Sequence, residues 1–266
     1  MRKEEEKAFH DRLRDSAYGQ RWSKGLEEEI RRNPLWKNMK YYSIERKSRD
    51  LVMEWLRREC AGKNVLDYCC GNGEDALFIA EGGAGRVVGV DISDTSIDNC
   101  RDRARSMELA NCSFEVMDAE AMDFGESTFD VVSEYGALHH LSLEKAYSEI
   151  ARVLKPDGKC ICVEALGHNK IIHMYRKLTP KLRTEWEVEH ILRRKDIEAA
   201  GDYFSGVKVL GFFHLATVAA VPLRGTPFFE SVLSLLEGLD RILLSLPFLR
   251  WNAWQVVFEL AGPRMK

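Results

Sequence analysis

The chain has 266 residues, 45% of them hydrophobic, and a formal net charge of −3. That apolar share is enough for a sizeable core and argues against global disorder, while the near-neutral balance excludes a broadly basic nucleic-acid surface and leaves room only for a local patch. The seven cysteines are odd in number and contain no C-x-x-C pair, so no metal is expected on them, and reduced thiols in a cytoplasmic protein are the simple reading.

Arg2 to Lys7 form a charged cluster with no apolar run behind it, unlike a secretory leader. Residues 1–37 read as a charged, partly amphipathic helical arm, either solvated or partner-binding. Phe9, Leu13, Tyr18, Trp22, Leu26, Ile30 and Trp36 are anchors that would dock it on the core. A helix follows from Ile44 to Cys60 with Leu51, Val52, Trp55 and Leu56 inward, and the segment 1–60 is expected to act as an arm or lid. From there the pattern alternates. Strands are predicted at 64–68, 86–91, 112–117, 129–135 and 158–165, and helices at 73–82, 95–108 and 143–154. Such alternation predicts an α/β, Rossmann-like, doubly wound parallel sheet. Two more strands at 206–214 and 253–261 bring the sheet to seven.

Two segments of the 61–266 domain exceed a minimal core, at about 167–193 and 215–252, and are read as helical insertions. In the second, Phe229, Val232, Leu236, Leu239, Leu243 and Leu246 recur every three or four residues, widened by Phe228, Leu235, Ile242 and Leu249. This predicts an amphipathic helix over 228–246 with a broad apolar face. Packing on the core or on a second copy, a lid over a hydrophobic substrate, and a peripheral membrane or lipid contact all fit that face. The uncharged run Val209 to Leu223 is too short to span a membrane.

The most informative stretch is Val65-Leu66-Asp67-Tyr68-Cys69-Cys70-Gly71-Asn72-Gly73-Glu74-Asp75. An apolar strand ends in an acid, passes a glycine-bearing turn and opens a helix. The next strand ends in a second acid, Asp91, placed to accept hydrogen bonds from a ribose diol. The loop departs from both phosphate-binding spacings. G-x-G-x-x-G would need glycine at Ala76, and D-x-G-x-G-x-G has Cys69 and Asp75 at its outer glycine positions. Glu74, Asp75 and Asp67 would repel a pyrophosphate and suit a ligand that carries positive charge.

These residues resemble the class I S-adenosylmethionine-dependent methyltransferases, most nearly the small-molecule group that includes the ubiquinone and menaquinone C-methyltransferases. Leu66 to Gly73 is similar to that family's L-D-x-G-C-G-x-G, and Gly89 to Ser93 to its G-x-D-x-S. Asp118 to Phe124 resembles D-A-x-x-L-P-F. Phe129 to Val132 with Ala137 to Leu141 resembles F-D-x-V…L-H-H-L, and Ile150 to Lys159 resembles R-V-L-K-P-G-G. The resemblance implies an antiparallel last strand and S-adenosyl-L-methionine as cofactor. It implies that Asp91 holds the ribose, with Asp67, Cys69, Gly71 and Gly73 near the methionine portion, Asp118 and Ala119 at the adenine edge, and Ile92 over an adenine face. Tyr41 and Tyr42 sit where the family often carries aromatic lid residues, and Glu134 and Tyr135 should reach the methionine end.

On the acceptor side, His139 or His140 is a candidate general base, because a histidine titrates near neutrality, and Glu164 could orient it or take the proton itself. His168, Arg183, Glu189 and His190 are candidate acceptor-pocket residues. The expected activity is methyl transfer to a small, hydrophobic or lipid-like acceptor at oxygen, nitrogen or carbon, by a monomer or homodimer. A tRNA-modifying methyltransferase and a cofactor-binding, non-catalytic partner subunit are the alternatives.

Overall fold

The computed structural model describes residues 2–13, 30, 34–182 and 184–264. Its centre is a seven-stranded sheet in the order β3-β2-β1-β4-β5-β7-β6. The strands are β1 (Asn64–Tyr68), β2 (Arg86–Asp91), β3 (Cys112–Val116), β4 (Phe129–Tyr135), β5 (Leu154–Ala165), β6 (Phe204–Phe213) and β7 (Gln255–Pro263). The first five pair in parallel, and β7 runs antiparallel to both β5 and β6, which meets the expectation of an antiparallel last strand.

The central strands are buried on both faces, so they read as unbroken apolar runs rather than alternating ones. One face is built on Leu66, Val88, Val132, Tyr147, Ile150 and Phe258, the other on Val65, Val87, Val131, Trp55, Leu77 and Ile97. Helices α1 (Arg2–Leu13), α2 (Arg46–Cys60), α3 (Glu74–Glu81), α4 (Asp94–Ser106) and α5 (Leu143–Val153) come first in the chain. In α2, Val52, Trp55 and Leu56 are buried as the pattern predicts, and the Trp55 indole donates to Glu259 at 2.7 Å.

After β5 come α6 (Lys170–Leu178), α7 (Glu185–His190) and α8 (Arg194–Glu198), and between β6 and β7 lies α9 (Phe229–Leu243). Asn169 caps α6 by accepting the Ile171 and Ile172 amides at 3.0 and 3.2 Å. Only part of the α9 stripe is used. Phe229 and Leu233 are buried with Ile44, Ala220 and Val221, whereas Leu235 and Ile242 remain 73% and 65% exposed.

Among the described residues, the arm begins with helix α1, Ile30 is also helical, and the chain enters α2 through a 3-10 segment, Pro34–Ile44, that contains Tyr41 and Tyr42. The anchors Tyr18, Trp22 and Leu26 lie outside the described residues. Among the described helices, none is long and apolar enough to cross a membrane.

Candidate active site

Parallel register brings the ends of β1, β2, β4 and β5 to one edge of the sheet. Tyr68 sits beside Val90 on one side and Glu134 on the other, and Tyr135 sits beside Val163. A cavity of about 500 Å³ opens at this edge, where ligands of doubly wound sheets bind.

The first wall is the loop after β1. Its backbone is left-handed at Cys69 (φ 57°), Gly71 (φ 52°) and Gly73 (φ 74°). At Gly73 an added Cβ would lie 2.8 Å from the Cys100 sulfur, so packing as well as φ requires glycine there. Cys69 adopts the same conformation with a side chain, at the position where the related motif has glycine. Asp67 is 3% exposed and accepts the Ala76 amide at 2.9 Å, which caps the start of α3. Burial raises its carboxyl well above the usual range, and the charges of Asp75 and Asp91 push the same way.

Asp91 ends β2 at the cavity wall. One carboxylate oxygen accepts the Gly71 amide and the other the Ser93 amide, both at 2.9 Å. Asp91 therefore also ties the glycine loop to the cap of α4, a structural duty its motif position did not reveal. Asp118, Ala119 and Ile92 line the same end. The Tyr68 hydroxyl donates to the Ala119 carbonyl at 2.9 Å and fixes that segment.

This end is roofed by α1. Arg2 pairs with Glu120, Lys3 with Asp118, and Lys7 with Asp94. Burial opposes ionisation of Asp118, but the Lys3 contact outweighs it and holds the carboxyl below its usual value. The arm thus lies across this end of the cavity.

A second wall comes from α2 and β4. Glu45, 4% exposed, accepts the Tyr135 hydroxyl at 2.5 Å and the Gln255 amide at 3.2 Å. Burial pushes the Glu45 carboxyl up to about 7, against the pull of the Tyr135 bond and Arg49. Arg49 pairs with Asp75 at 2.7 Å and lies 5.0 Å from the Tyr135 ring centre. Tyr41 packs edge-on against Tyr175 and tilted against Trp254, with centroids at 5.9 and 5.3 Å, and Tyr42 also lines the cavity. Glu45, Arg49, Tyr175, Trp254 and Gln255 carry no local motif. Long-range packing alone brings them here.

Behind the third wall lies a buried carboxylate pair. Glu134 accepts the Ala137 and Leu138 amides at 2.6 and 3.3 Å. Glu164 accepts the Leu138 amide at 2.6 Å, and its other oxygen lies 2.6 Å from His139 Nδ1. Burial raises both carboxyls, Glu164 to about 7, and their proximity adds to the rise at Glu134. His139 is held well below the usual histidine value, first by burial and then by His140. His140 turns away from this pair: its Nδ1 is 3.0 Å from a Glu6 oxygen, although their rings lie only 4.3 Å apart.

The predicted site residues divide accordingly. Tyr41, Tyr42, Asp67, Cys69, Asp91, Ile92, Asp118, Ala119, Tyr135, His139 and His140 line one cavity. Gly71 and Gly73 shape the loop, and Glu164 supports His139 from behind. Glu134 does not line the cavity; it caps the turn that carries the histidines. Of the candidate acceptor-pocket residues, His168, Glu189 and His190 do not line this cavity. His168 packs on Trp251, His190 stacks on Trp186 at 3.6 Å, and Glu189 is exposed, all away from the cavity. Arg183 lies outside the described residues. The insertion instead contributes Ile171, Ile172, Tyr175, Arg176, Leu182, Glu187 and Ile191. Most of these residues are apolar, so no polar motif marks them in the sequence.

Residues 65–158 match the model of a methyltransferase domain. The chain is 32% identical over 109 residues to a demethylmenaquinone methyltransferase of Lactococcus lactis, covering 40% of this chain and 43% of that protein. It is 35% identical over 101 residues to 27-O-demethylrifamycin SV methyltransferase of Amycolatopsis mediterranei, covering 37% of each. The chain thus spans under half the length of either relative. Its fold is that of the YcgJ protein of Bacillus subtilis, with a TM-score of 0.57 at 19% identity over 82% of this chain and 97% of that one. Over residues 65–158 the chain resembles the class I S-adenosylmethionine-dependent methyltransferases, and among them the demethylmenaquinone group.

Proposed function

We propose that this chain uses S-adenosyl-L-methionine to methylate a small, largely apolar acceptor. The observation that carries the reading is the continuity of one cavity. It joins Asp67 and Asp91 at one end to His139 at the other, with Ile171, Ile172, Leu182, Ile191, Val218 and Trp254 around the acceptor space.

The residues present fit the cofactor. The left-handed loop lets its backbone approach a ligand closely, and Asp91 offers a carboxylate at the cavity wall. Asp67, Asp75 and Asp91 crowd around one loop, an arrangement that a positive charge relieves and a pyrophosphate would worsen. Bound there, the cofactor supplies an activated methyl group on a sulfonium, whose electron pair returns to sulfur when the acceptor atom bonds to the methyl carbon. The chain's own residues align the acceptor, exclude water and receive a proton where the acceptor is an O–H or N–H. Alignment of this kind is worth up to about 7–11 kcal/mol of the barrier. His139 is the proton acceptor in this reading. With Glu164 facing Nδ1–H, the other ring nitrogen keeps its lone pair, and the low histidine value leaves it unprotonated and able to accept a proton.

The named relatives act on a quinone precursor and on a rifamycin, and both names support a small acceptor here. The exposed Leu235 and Ile242 of α9 support contact with a lipid-bearing surface rather than a role in the acceptor cavity, which no α9 residue lines. Incubation with methyl-labelled cofactor and separately extracted metabolites, lipids and RNA tests the proposal. Label in an organic-soluble small molecule is expected, and label confined to RNA would overturn the reading.

A further inference from the structure

Glu6 and His10 are one turn apart on α1, on its inward face, and His140 follows β4. His140 is 130 residues or more from the other two in sequence, yet each of the three offers one ligand atom within 4.8 Å of the others. Glu6 is 6% exposed. One of its oxygens accepts the Thr184 hydroxyl at 2.6 Å. The other faces both histidines, at 3.0 Å from His140 Nδ1 and 3.6 Å from His10 Nε2. All three residues line the cavity beside its acceptor end.

We infer that Glu6, His10 and His140 form a three-ligand site for a divalent transition-metal ion, and that zinc is the ion the donors suit. Two imidazoles and one carboxylate are a borderline-soft set that favours zinc over magnesium or calcium. Tetrahedral zinc with bonds of about 2.0–2.1 Å needs ligand atoms roughly 3.4 Å apart. The two measured separations, 3.0 and 3.6 Å, already bracket that value, and the third pair, within 4.8 Å, has at most about 1.4 Å to close. Three protein ligands leave a fourth position, open toward the cavity, for water or an oxygen donor of a bound molecule.

The surroundings support the inference. The Thr184 bond fixes the Glu6 carboxylate so that its free oxygen points at the imidazoles, as an outer partner does for a ligating group. This site differs in kind from a thiolate site, which the spacing of the cysteines argues against. Nothing in the sequence joins positions 6 and 10 to 140, and only the folded arm does. An ion here would pin α1 over the cavity, and its presence is read without any turnover.

The test is calorimetric titration of the full chain with zinc at pH 7.5, in two buffers of different ionisation enthalpy, with cobalt as a spectroscopic substitute. One ion per chain, proton release on binding and the visible bands of four-coordinate cobalt are expected. His10→Asn and Glu6→Gln should each weaken binding by at least about 100-fold, because loss of even an outer partner costs 10- to 100-fold. Circular dichroism of both variants should stay that of the wild type. Failure of the wild type to bind zinc would overturn the inference. So would equal uptake by the folded variants, which would place the ion elsewhere, for example on cysteines.

Discussion

Glu164 and His139 meet at 2.6 Å at the ends of neighbouring strands, both almost wholly removed from water. The carboxylate does two things at once: one oxygen orients the imidazole, and the other holds the Leu138 amide that shapes its turn. Acid and base are therefore one unit, and burial lifts the Glu164 carboxyl to about 7. For an O–H or N–H acceptor, kcat should rise with pH through that region, because the proton must leave the pair before His139 can accept another. His139→Ala is expected to lower kcat by about 10²–10⁴-fold with cofactor affinity unchanged. Glu164→Gln should also lower it and should abolish the ascending limb. A flat pH–rate profile in the wild type, or full kcat in His139→Ala, would remove the base from the mechanism.

Asp91 presents a different case because, beside the ribose contact proposed for it, it also holds the fold together. Its replacement by Ala would orphan the Gly71 and Ser93 amides, so Asp91→Asn, which keeps one acceptor, is the informative change. Loss of charge-assisted hydrogen bonds to the ribose should cost about 1.5–3 kcal/mol, or roughly ten- to hundred-fold in affinity. Calorimetry on a variant with an unaltered melting temperature checks this. Wild-type affinity would mean that the ribose lies elsewhere.

Cys69 occupies a left-handed conformation in which an unbranched side chain is uncommon and a β-branched one is a marked outlier. Cys69→Val should destabilise the chain by at least about 1–2 kcal/mol. Cys69→Gly should be tolerated within about 1 kcal/mol, since relief of the backbone offsets lost packing. Urea unfolding of the two variants makes the comparison, and equal stabilities would contradict it.

The parts of this molecule legible in its sequence are those governed by local rules. Strand β1 shows itself through a short apolar run, and the Gly71–Gly73 turn and the closing Asp91 through spacing. Helix α5 shows itself through its period. The cavity's opposite walls are set by tertiary contacts between distant residues, and no short window contains them. Glu45 meets Tyr135 and Gln255 across 90 and 210 positions. His168 and His190 have the right chemistry on the right insertion, but α6 presents Ile172 and Tyr175 to the cavity instead. The α9 stripe is wider than the surface it covers, so periodicity alone could not say that Leu235 would stay in water. His139 and His140 are adjacent in sequence and yet serve different partners, because a 3-10 turn points them to Glu164 and Glu6.

Glu45 offers a test of the electrostatics of the cavity. Its carboxyl rises from 4.5 to about 7 in the folded chain, so between those values the folded state binds more proton than the unfolded one. Stability from this group is therefore present at low pH and is lost as pH rises through the window, by about 3 kcal/mol at most. Glu45→Gln should flatten that slope and leave the chain more stable at pH 8 while changing little at pH 4. The same residue ties cofactor affinity to pH. A sulfonium in the cavity favours the ionised carboxylate, whereas the thioether left after methyl transfer has no charge at sulfur. S-adenosylmethionine should accordingly gain affinity relative to S-adenosylhomocysteine as pH rises from 5 to 8, and Glu45→Gln should remove the trend. Titrations of both ligands at several pH values measure the ratio. If it is constant across the range in the wild type, Glu45 stands too far from the sulfur to sense its charge.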